Sequence, residues 1–427
     1  MPPPSGGVSV ERIHISMTEQ PRSRWRRALI GGTVGIAMVA TAATAPAALA
    51  ALRSSDGSTA AALPAAPTDW SVAVVDSEMA RKSPSTLGGW GYTQGLFLWG
   101  TYLVYKRTNN AKYLTYIKAW ADRFVNSDGS IGQSFNSLDS MNSGNVLLAL
   151  YTETQQAKYK TAAQKIRNRL KTYPRTKDGG FWHADTSSRA HQLWGDGVFM
   201  VDPFLARYGN VIDELPYTSQ ETSLQLQVTY THLLNKSNGL LKHAYDESKT
   251  ASWANKTTGQ APETWCRAEG WYMMATVEVL ENIPASDTAD RTPLIANINS
   301  LVHAVIKFQD PATGRWWQIV DRPGQKGNFL ETSCSSMYTY AISRAVQRGY
   351  VDSAFTATAK AAAAKGYQGV LQEVSTDSKG STHVKNICIG TNVGNASYYY
   401  SRPVATDDLH GLGSFVIMNE QLQFPSS

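Results

Sequence analysis

No HExxH, no P-loop, no dinucleotide fingerprint and no G-x-S-x-G elbow occurs in this chain of 427 residues. Zincin, nucleotide-dependent, nicotinamide and α/β-hydrolase chemistry therefore lack their usual signatures. Cysteine is scarce. Cys266, Cys334 and Cys388 allow one disulfide and one free thiol, or none, and their spacing fits no zinc site. Charged residues make up only 17%, and no basic run carries interleaved aromatics, which argues against a nucleic-acid partner. Alternating strand patterns are few, the best being 314–320 and the 387–400 region.

An uninterrupted uncharged run extends from Ala28 to Ala50. It follows Arg22, Arg24, Arg26 and Arg27 and closes on Ala48-Leu49-Ala50. A basic segment, an apolar segment and an A-x-A site make residues 1–50 a secretory signal peptide, with Met17 a second candidate start. The pair Arg26-Arg27 is compatible with twin-arginine export; an uncleaved anchor is the competing reading. Secretion is the expected localisation, with membrane contact only through this leader. Without residues 1–50, 35 basic residues face 32 acidic ones, a formal +3 rather than the +6 of the whole chain. Residues 51–67, rich in Ala, Ser and Pro, read as a linker, and 68–427 as one domain.

What the chain has is aromatic residues and helical periodicity. Twelve Trp and 20 Tyr exceed what a plain scaffold needs, and aromatic faces suit the apolar faces of sugar rings; an aromatic core is the plainer account. Apolar residues recur at three to four, as in Tyr113, Ile117, Trp120 and Phe124. About twelve helices are expected, centred near 74, 99, 118, 149, 164, 201, 226, 273, 298, 341, 361 and 415. Tyr105…Thr108-Asn-Asn-Ala111-Lys112-Tyr113 recurs as Tyr151…Thr154-Gln-Gln-Ala157-Lys158-Tyr159, offset by 46 residues. A helix hairpin is thus used repeatedly, and six hairpins closing on themselves make an all-α barrel. The polar loops 174–192 and 236–264 would rim one mouth.

The densest chemistry lies in Phe181-Trp182-His183 through Trp194-Gly195-Asp196-Gly197. Asp196 opens a helical pattern, where a carboxylate either caps or catalyses. Asp139 opens another, and in a ring of hairpins equivalent turns face one opening. Two such acids are the usual equipment of glycosidic chemistry; two N-caps are the alternative. Arg267, four residues before Trp271, suits a carboxylate ligand or a structural ion pair. Glu331 to Ser336 reads as a helix start with capping groups. His183, Asp185 and His191 form at most a weak metal cluster, and neither metal nor cofactor is expected.

These blocks resemble a known family. Trp90-Gly91-Tyr92-x-x-Gly95, Ser137-Leu138-Asp139, Pro174-Arg175-Thr176, Phe181-Trp182-His183 and Trp194-Gly195-Asp196-Gly197 stand in order. Pro203-Phe204, His243-x-Tyr245-Asp246, Trp265-x-Arg267-x-x-Gly270-Trp271, Glu331-x-Ser333 and Gly411-x-Gly413 follow. Over the span from about Trp70 to Glu420 the chain resembles unsaturated rhamnogalacturonyl hydrolases, glycoside hydrolase family 105, relatives of the family 88 unsaturated glucuronyl hydrolases. The resemblance implies an (α/α)6 barrel, metal-free, acting on lyase-generated oligosaccharides that end in a 4,5-unsaturated uronic acid; separately, a monomer is expected. It implies Asp196 as the acid/base that protonates C4 and assists water at C5, and Asp139 as its partner. Tyr92, His183, Trp194, His243, Arg267 and Trp271 would form the uronate pocket. Cys266 and Cys334 depart from it, standing where small residues are usual.

An acid that donates near neutral pH needs a raised pKa, and a neighbouring carboxylate among aromatic rings supplies one. Asp196 is therefore expected to be the protonated member of the pair. Unsaturated glucuronides as substrates, a non-catalytic sugar-binding barrel and another α/α-barrel enzyme are the alternatives.

Overall fold

The structure, a computed structural model, describes residues 68–425. The expected signal peptide and linker lie outside the described residues. Helix α1 (Trp70–Arg81) starts on Asp69, which accepts the Val72 N–H. α2 (Tyr92–Thr108) ends at Asn109, whose φ of 53° turns the chain, and Asn110 caps α3 (Ala111–Ala121). α4 (Gly144–Thr154) ends in the same way at Gln155, φ 55°, ahead of α5 (Ala157–Leu170). Asp213, φ 66°, repeats the device between α6 (Gly195–Ile212) and α7 (Leu215–Leu233). A left-handed residue is the common way to stop a helix and free its last carbonyls for capping. The 46-residue sequence repeat is this hairpin turn.

The chain continues through α8 (Cys266–Leu280), α9 (Thr288–Ile306), α10 (Thr332–Gln347), α11 (Thr356–Leu371), the short α12 (Ala396–Tyr400) and α13 (Leu409–Gln423). Every expected helix centre falls inside one of these. α2, α4, α6, α8, α10 and α13 pack side by side and close into a ring, α13 against α2. α3, α5, α7, α9 and α11 lie outside, each against the inner helix that precedes it. The sixth outer place belongs to α1, which packs on α13, so the first and last helices together make the closing hairpin. The architecture is an (α/α)6 barrel.

The inner helices run parallel, touching start to start. A Cβ on Gly95 would sit 2.7 Å from Asn142, just before α4, and one on Gly195 would sit 3.0 Å from the carbonyl of Ala268 in the first turn of α8. Gly413 lies as tightly against Leu96, and a disulfide joins Cys266 to Cys334. Six helix N-termini therefore open on one mouth. Outer helices return to inner ones through turns at Gly129, Gly179, Gly239, Gly314 and Gly380, all at positive φ.

Strands are brief. Gln192–Trp194 (β1) pairs antiparallel with Ala244–Asp246 (β2), which stitches the 174–192 and 236–264 loops together. Of the expected strand 314–320, Trp316–Trp317 pairs with Leu330–Glu331 and Ile319 makes a single bridge to Trp265. The expectation of strand across 387–400 is corrected: Ile387–Cys388 pairs with Val404–Ala405, but 396–400 is helix, because the Asn395 side chain accepts the Tyr398 N–H and caps it.

Pro203 inside α6 deprives the Phe199 carbonyl of its helical donor, and Asn142 Nδ2 takes that place at 3.3 Å. The helix of Asp196 is thereby tied to the turn that follows Asp139. Toward the far end of the barrel Arg207 pairs with Glu278, reaches Asn145 and lies 3.9 Å over the Trp99 ring.

The disulfide closes a sequence separation of 68 residues, worth about 4 kcal/mol in a chain-entropy account. Cys388 is free and buried. Denatured protein should titrate one thiol, and replacing Cys266 and Cys334 together by Ala should lower stability by about 2–4 kcal/mol in a denaturant melt. Three titratable thiols would remove the bond.

Candidate active site

Asp196 is the second residue of α6, after the N-cap position held by Trp194. No backbone N–H reaches its carboxylate, so the capping reading fails. Oδ2 lies instead 3.3 Å from Nε2 of His243, close but out of hydrogen-bond line. Catalytic contacts are often this loose before substrate tightens them. His243 stands just before the loop strand β2, and its carbonyl accepts the Gly195 N–H at 2.9 Å.

Asp139 sits on a single 3₁₀ turn, Leu138–Met141, whose cap is the Ser137 hydroxyl. The Leu138 N–H donates to the His183 carbonyl, and Asp139 Oδ2 faces His183 Nε2 at 3.8 Å. The His183 ring lies flat on Trp194, 4.4 Å away at 4°, and Trp194 meets His243 edge-on at 5.2 Å. Asp139, His183, Trp194, His243 and Asp196 thus form one continuous arc. Five of the sequence candidates lie together here.

The other three stand on the adjoining wall. The Tyr92 hydroxyl is 2.5 Å from His410 Nε2, and His410 Nδ1 is 2.5 Å from Asp408. Trp271 is 1% exposed and stacks on Phe199 at 4.6 Å, so it supports the wall from behind. Arg267 is also 1% exposed. It donates to the carbonyls of Cys388 and Ile389 at 2.6 and 2.8 Å and to the Ser333 hydroxyl at 3.2 Å, with Glu331 at 4.0 Å. Its fork is already occupied, which differs from the open carboxylate clamp expected of it. Glu331 is itself the cap of α10, accepting from Ser333 and Cys334 N–H. The weak metal cluster disperses: His183 faces Asp139, Asp185 pairs with Arg169, and His191 with Glu247.

Sequence reasoning missed four residues. His410 stands at the start of the last inner helix, as Asp196 does in its own, and the hairpin logic extended once more would have found it. Arg189 lies 4.4 Å over Trp194 and donates to Asn392 across the mouth. Trp265 packs on His243 at 4.4 Å, and the Tyr399 hydroxyl reaches His243 Nδ1 at 2.6 Å. Tyr398-Tyr399-Tyr400 was the visible signal, misread as strand.

The sequence model of Glycosyl Hydrolase Family 88 matches residues 70–422. The chain belongs to this family. The structure of a family 105 glycoside hydrolase from C. acetobutylicum ATCC 824 is similar to it with a TM-score of 0.78 and 34% identity, covering 83% of this chain and 99% of that one. Protein Atu3128 of Agrobacterium fabrum is 32% identical over 228 residues, half of this chain and 94% of that protein. The unsaturated rhamnogalacturonyl hydrolase YesR of Bacillus subtilis is 26% identical over 259 residues, 59% of this chain and 70% of its own length. The chain is a glycoside hydrolase of the family 88 and 105 type, the group its motifs resemble.

In this family 88 enzyme the two carboxylates are driven apart. Burial pushes Asp196 up, but His243, with help from His183 and Arg267, outweighs it and holds the pKa below the ordinary carboxylate value. Burial also pushes Asp139 up, the Asp196 charge adds to it, and His183 and Arg189 do not cancel the two. The proton therefore prefers Asp139. This direction runs against the expectation that Asp196 is the protonated member, and its cause, the histidine contact, is not visible in the sequence. His243 is pushed down, chiefly by burial, and is neutral near pH 7.

Asp139 binds its proton more tightly folded than unfolded. That contribution is full below the ordinary carboxylate pKa and is lost as pH rises through the folded value. At neutral pH its charge is a cost, one reduced by water because 37% of the side chain is open to the cup. Asp139→Asn should raise the thermal midpoint at pH 7, by an amount worth less than about 1 kcal/mol, and should leave it unchanged near pH 3. A lower midpoint at pH 7 would show that the charge is not a burden.

Proposed function

We propose that the enzyme removes the terminal 4,5-unsaturated uronic acid from lyase-generated oligosaccharides, with unsaturated galacturonyl–rhamnose as substrate. The observation that carries this reading is Asp196, buried at the start of α6 with His243 Nε2 at 3.3 Å, and joined to Asp139 along the arc of His243, Trp194 and His183. The likenesses to YesR and to the family 105 structure support the substrate class.

The chemistry asks Asp196 to place a proton on C4 and then to accept one from the water that adds at C5. The C5 hemiketal opens to a ketone, C1 is left as a hemiacetal, and the aglycone departs as an alcohol. One water is consumed and no metal is needed to balance the step. Asp139 holds ring hydroxyls and stabilises the positive charge at C5, while Tyr92, His183, Trp194, His243, Arg267 and Trp271 shape the uronate site. Arg267 acts here as a fixed positive charge behind the wall, since its fork is held by backbone.

Asp196 is charged before substrate arrives, so the proton must enter with it. An anionic uronate brings a like charge and displaces water, and both raise the Asp196 pKa. Export is the reading supported by the leader composition and by a disulfide, which persists in oxidising compartments.

Incubation with lyase products should abolish the ultraviolet absorbance of the double bond. Asp196→Asn should slow this by about 10²-fold or more with the helical circular-dichroism spectrum intact. Turnover confined to unsaturated glucuronides would overturn the galacturonyl–rhamnose assignment, and none on any unsaturated uronide would overturn the whole. Titration calorimetry of a saturated uronate analogue, run in buffers of different ionisation enthalpy, should show net proton uptake near pH 7. Binding without uptake would mean that Asp196 does not load its proton this way.

A further inference from the structure

We propose that Tyr399 is a positioning residue for the acid/base centre: its hydroxyl fixes the tautomer of His243, so that Asp196 meets a neutral N–H donor and never an imidazolium. The inference rests on the reading of Asp196 as acid/base. Tyr399 belongs to α12 and is fully buried, as is His243. Two groups reach its hydroxyl oxygen, the Gly394 N–H at 3.3 Å and His243 Nδ1 at 2.6 Å.

Donor counting then decides the protons. A backbone N–H can only donate, so the phenol oxygen accepts from Gly394. Its one proton must go to His243 Nδ1, because no other acceptor among the described residues is in reach, and a buried hydroxyl left without one is costly. Nδ1 is therefore an acceptor, and the ring hydrogen sits on Nε2, 3.3 Å from Asp196 Oδ2. The phenol stays protonated, since burial and the Asp196 and Glu263 charges push its pKa well up.

The consequence is a block on a second proton. His243 faces Asp196 from α6, His183 from the loop before β1, Arg267 from α8 and Tyr399 from α12. His183 and Arg267 oppose a charge on the ring, Asp196 invites one, and the Tyr399 O–H occupies the only nitrogen that could take it. An imidazolium there would pin Asp196 as carboxylate and deny it the proton that hydration requires. Trp265 packs against both rings, tilted at 4.4 Å from His243 and stacked at 6.1 Å from Tyr399. Tyr399→Phe thus removes the hydroxyl and leaves the packing.

Histidine-selective ¹⁵N labelling tests this on the folded enzyme, with His243→Gln used only to assign the signal. Wild-type His243 should show the Nε2–H tautomer and no titration between about pH 5 and 8, whereas in Tyr399→Phe it should titrate within that range. The kcat/KM profile of the variant should then fall about tenfold or more at the acid end and less than about threefold at the alkaline end. A wild-type Nδ1–H tautomer overturns the proposal, as does a Tyr399→Phe enzyme with an unchanged His243 titration and pH profile. The tautomer is read without turnover, so an enzyme inactive on every unsaturated uronide would sink the hydration reading and leave the His243 assignment standing.

Discussion

Six inner helices begin at one mouth, and the electrostatics of that mouth follow from their parallel packing. Each helix start carries roughly half a positive charge in unsatisfied N–H groups. One start favours a nearby anion by about 0.3–1 kcal/mol; a ring of them makes a floor on which carboxylates and an anionic sugar are both tolerated. Asp196 lies within the first turn of α6 and is held charged, although it is buried. The same floor disfavours cations, which accords with His243 and His410 both being pushed below the ordinary histidine pKa, chiefly by burial and with Arg267 contributing.

That packing needs close approach at the helix starts, and this chain secures it twice between α8 and α10. The disulfide joins Cys266 to Cys334, and the very next contact is between their neighbours, Arg267 and Ser333. The covalent bond and the guanidinium contact therefore fix the same two helix ends. The carbonyls of Cys388 and Ile389 complete the hold on Arg267, so the rim segment 387–400 is anchored at one end by arginine and at the other by Tyr399 on His243. The departure from small residues at Cys266 and Cys334 is local reinforcement of the wall behind the site.

Most of the fold was legible because its rules are local. Period-3.6 patterns give the helices, and the polar pairs Asn109-Asn110 and Gln155-Gln156 mark the turns of two hairpins. The closing hairpin was not visible as a pair, since α1 and α13 are the two ends of the domain and nothing local links them. Strands of two or three residues are too short to show alternation, and their pairing is tertiary. Asp139 and Asp196 could be matched by their equivalent places in the repeat. Tyr399 could not, because its importance depends on which nitrogen of His243 it meets.

The reversal at the two carboxylates is where sequence and structure differ most. Composition near Asp196, with aromatic rings and a second acid, argues for a raised pKa. The fold adds His243 Nε2 at 3.3 Å and the buried charge of Arg267, and these win over burial. In the proposed hydration, an acid that is charged at rest and protonated only in the complex would spend its proton on bound substrate alone. This makes the state of His243 decisive. A neutral N–H steadies the carboxylate yet yields when the uronate raises its pKa, whereas a full positive charge would resist that rise. The tyrosine that keeps His243 neutral thus sets how readily the substrate itself can arm the acid.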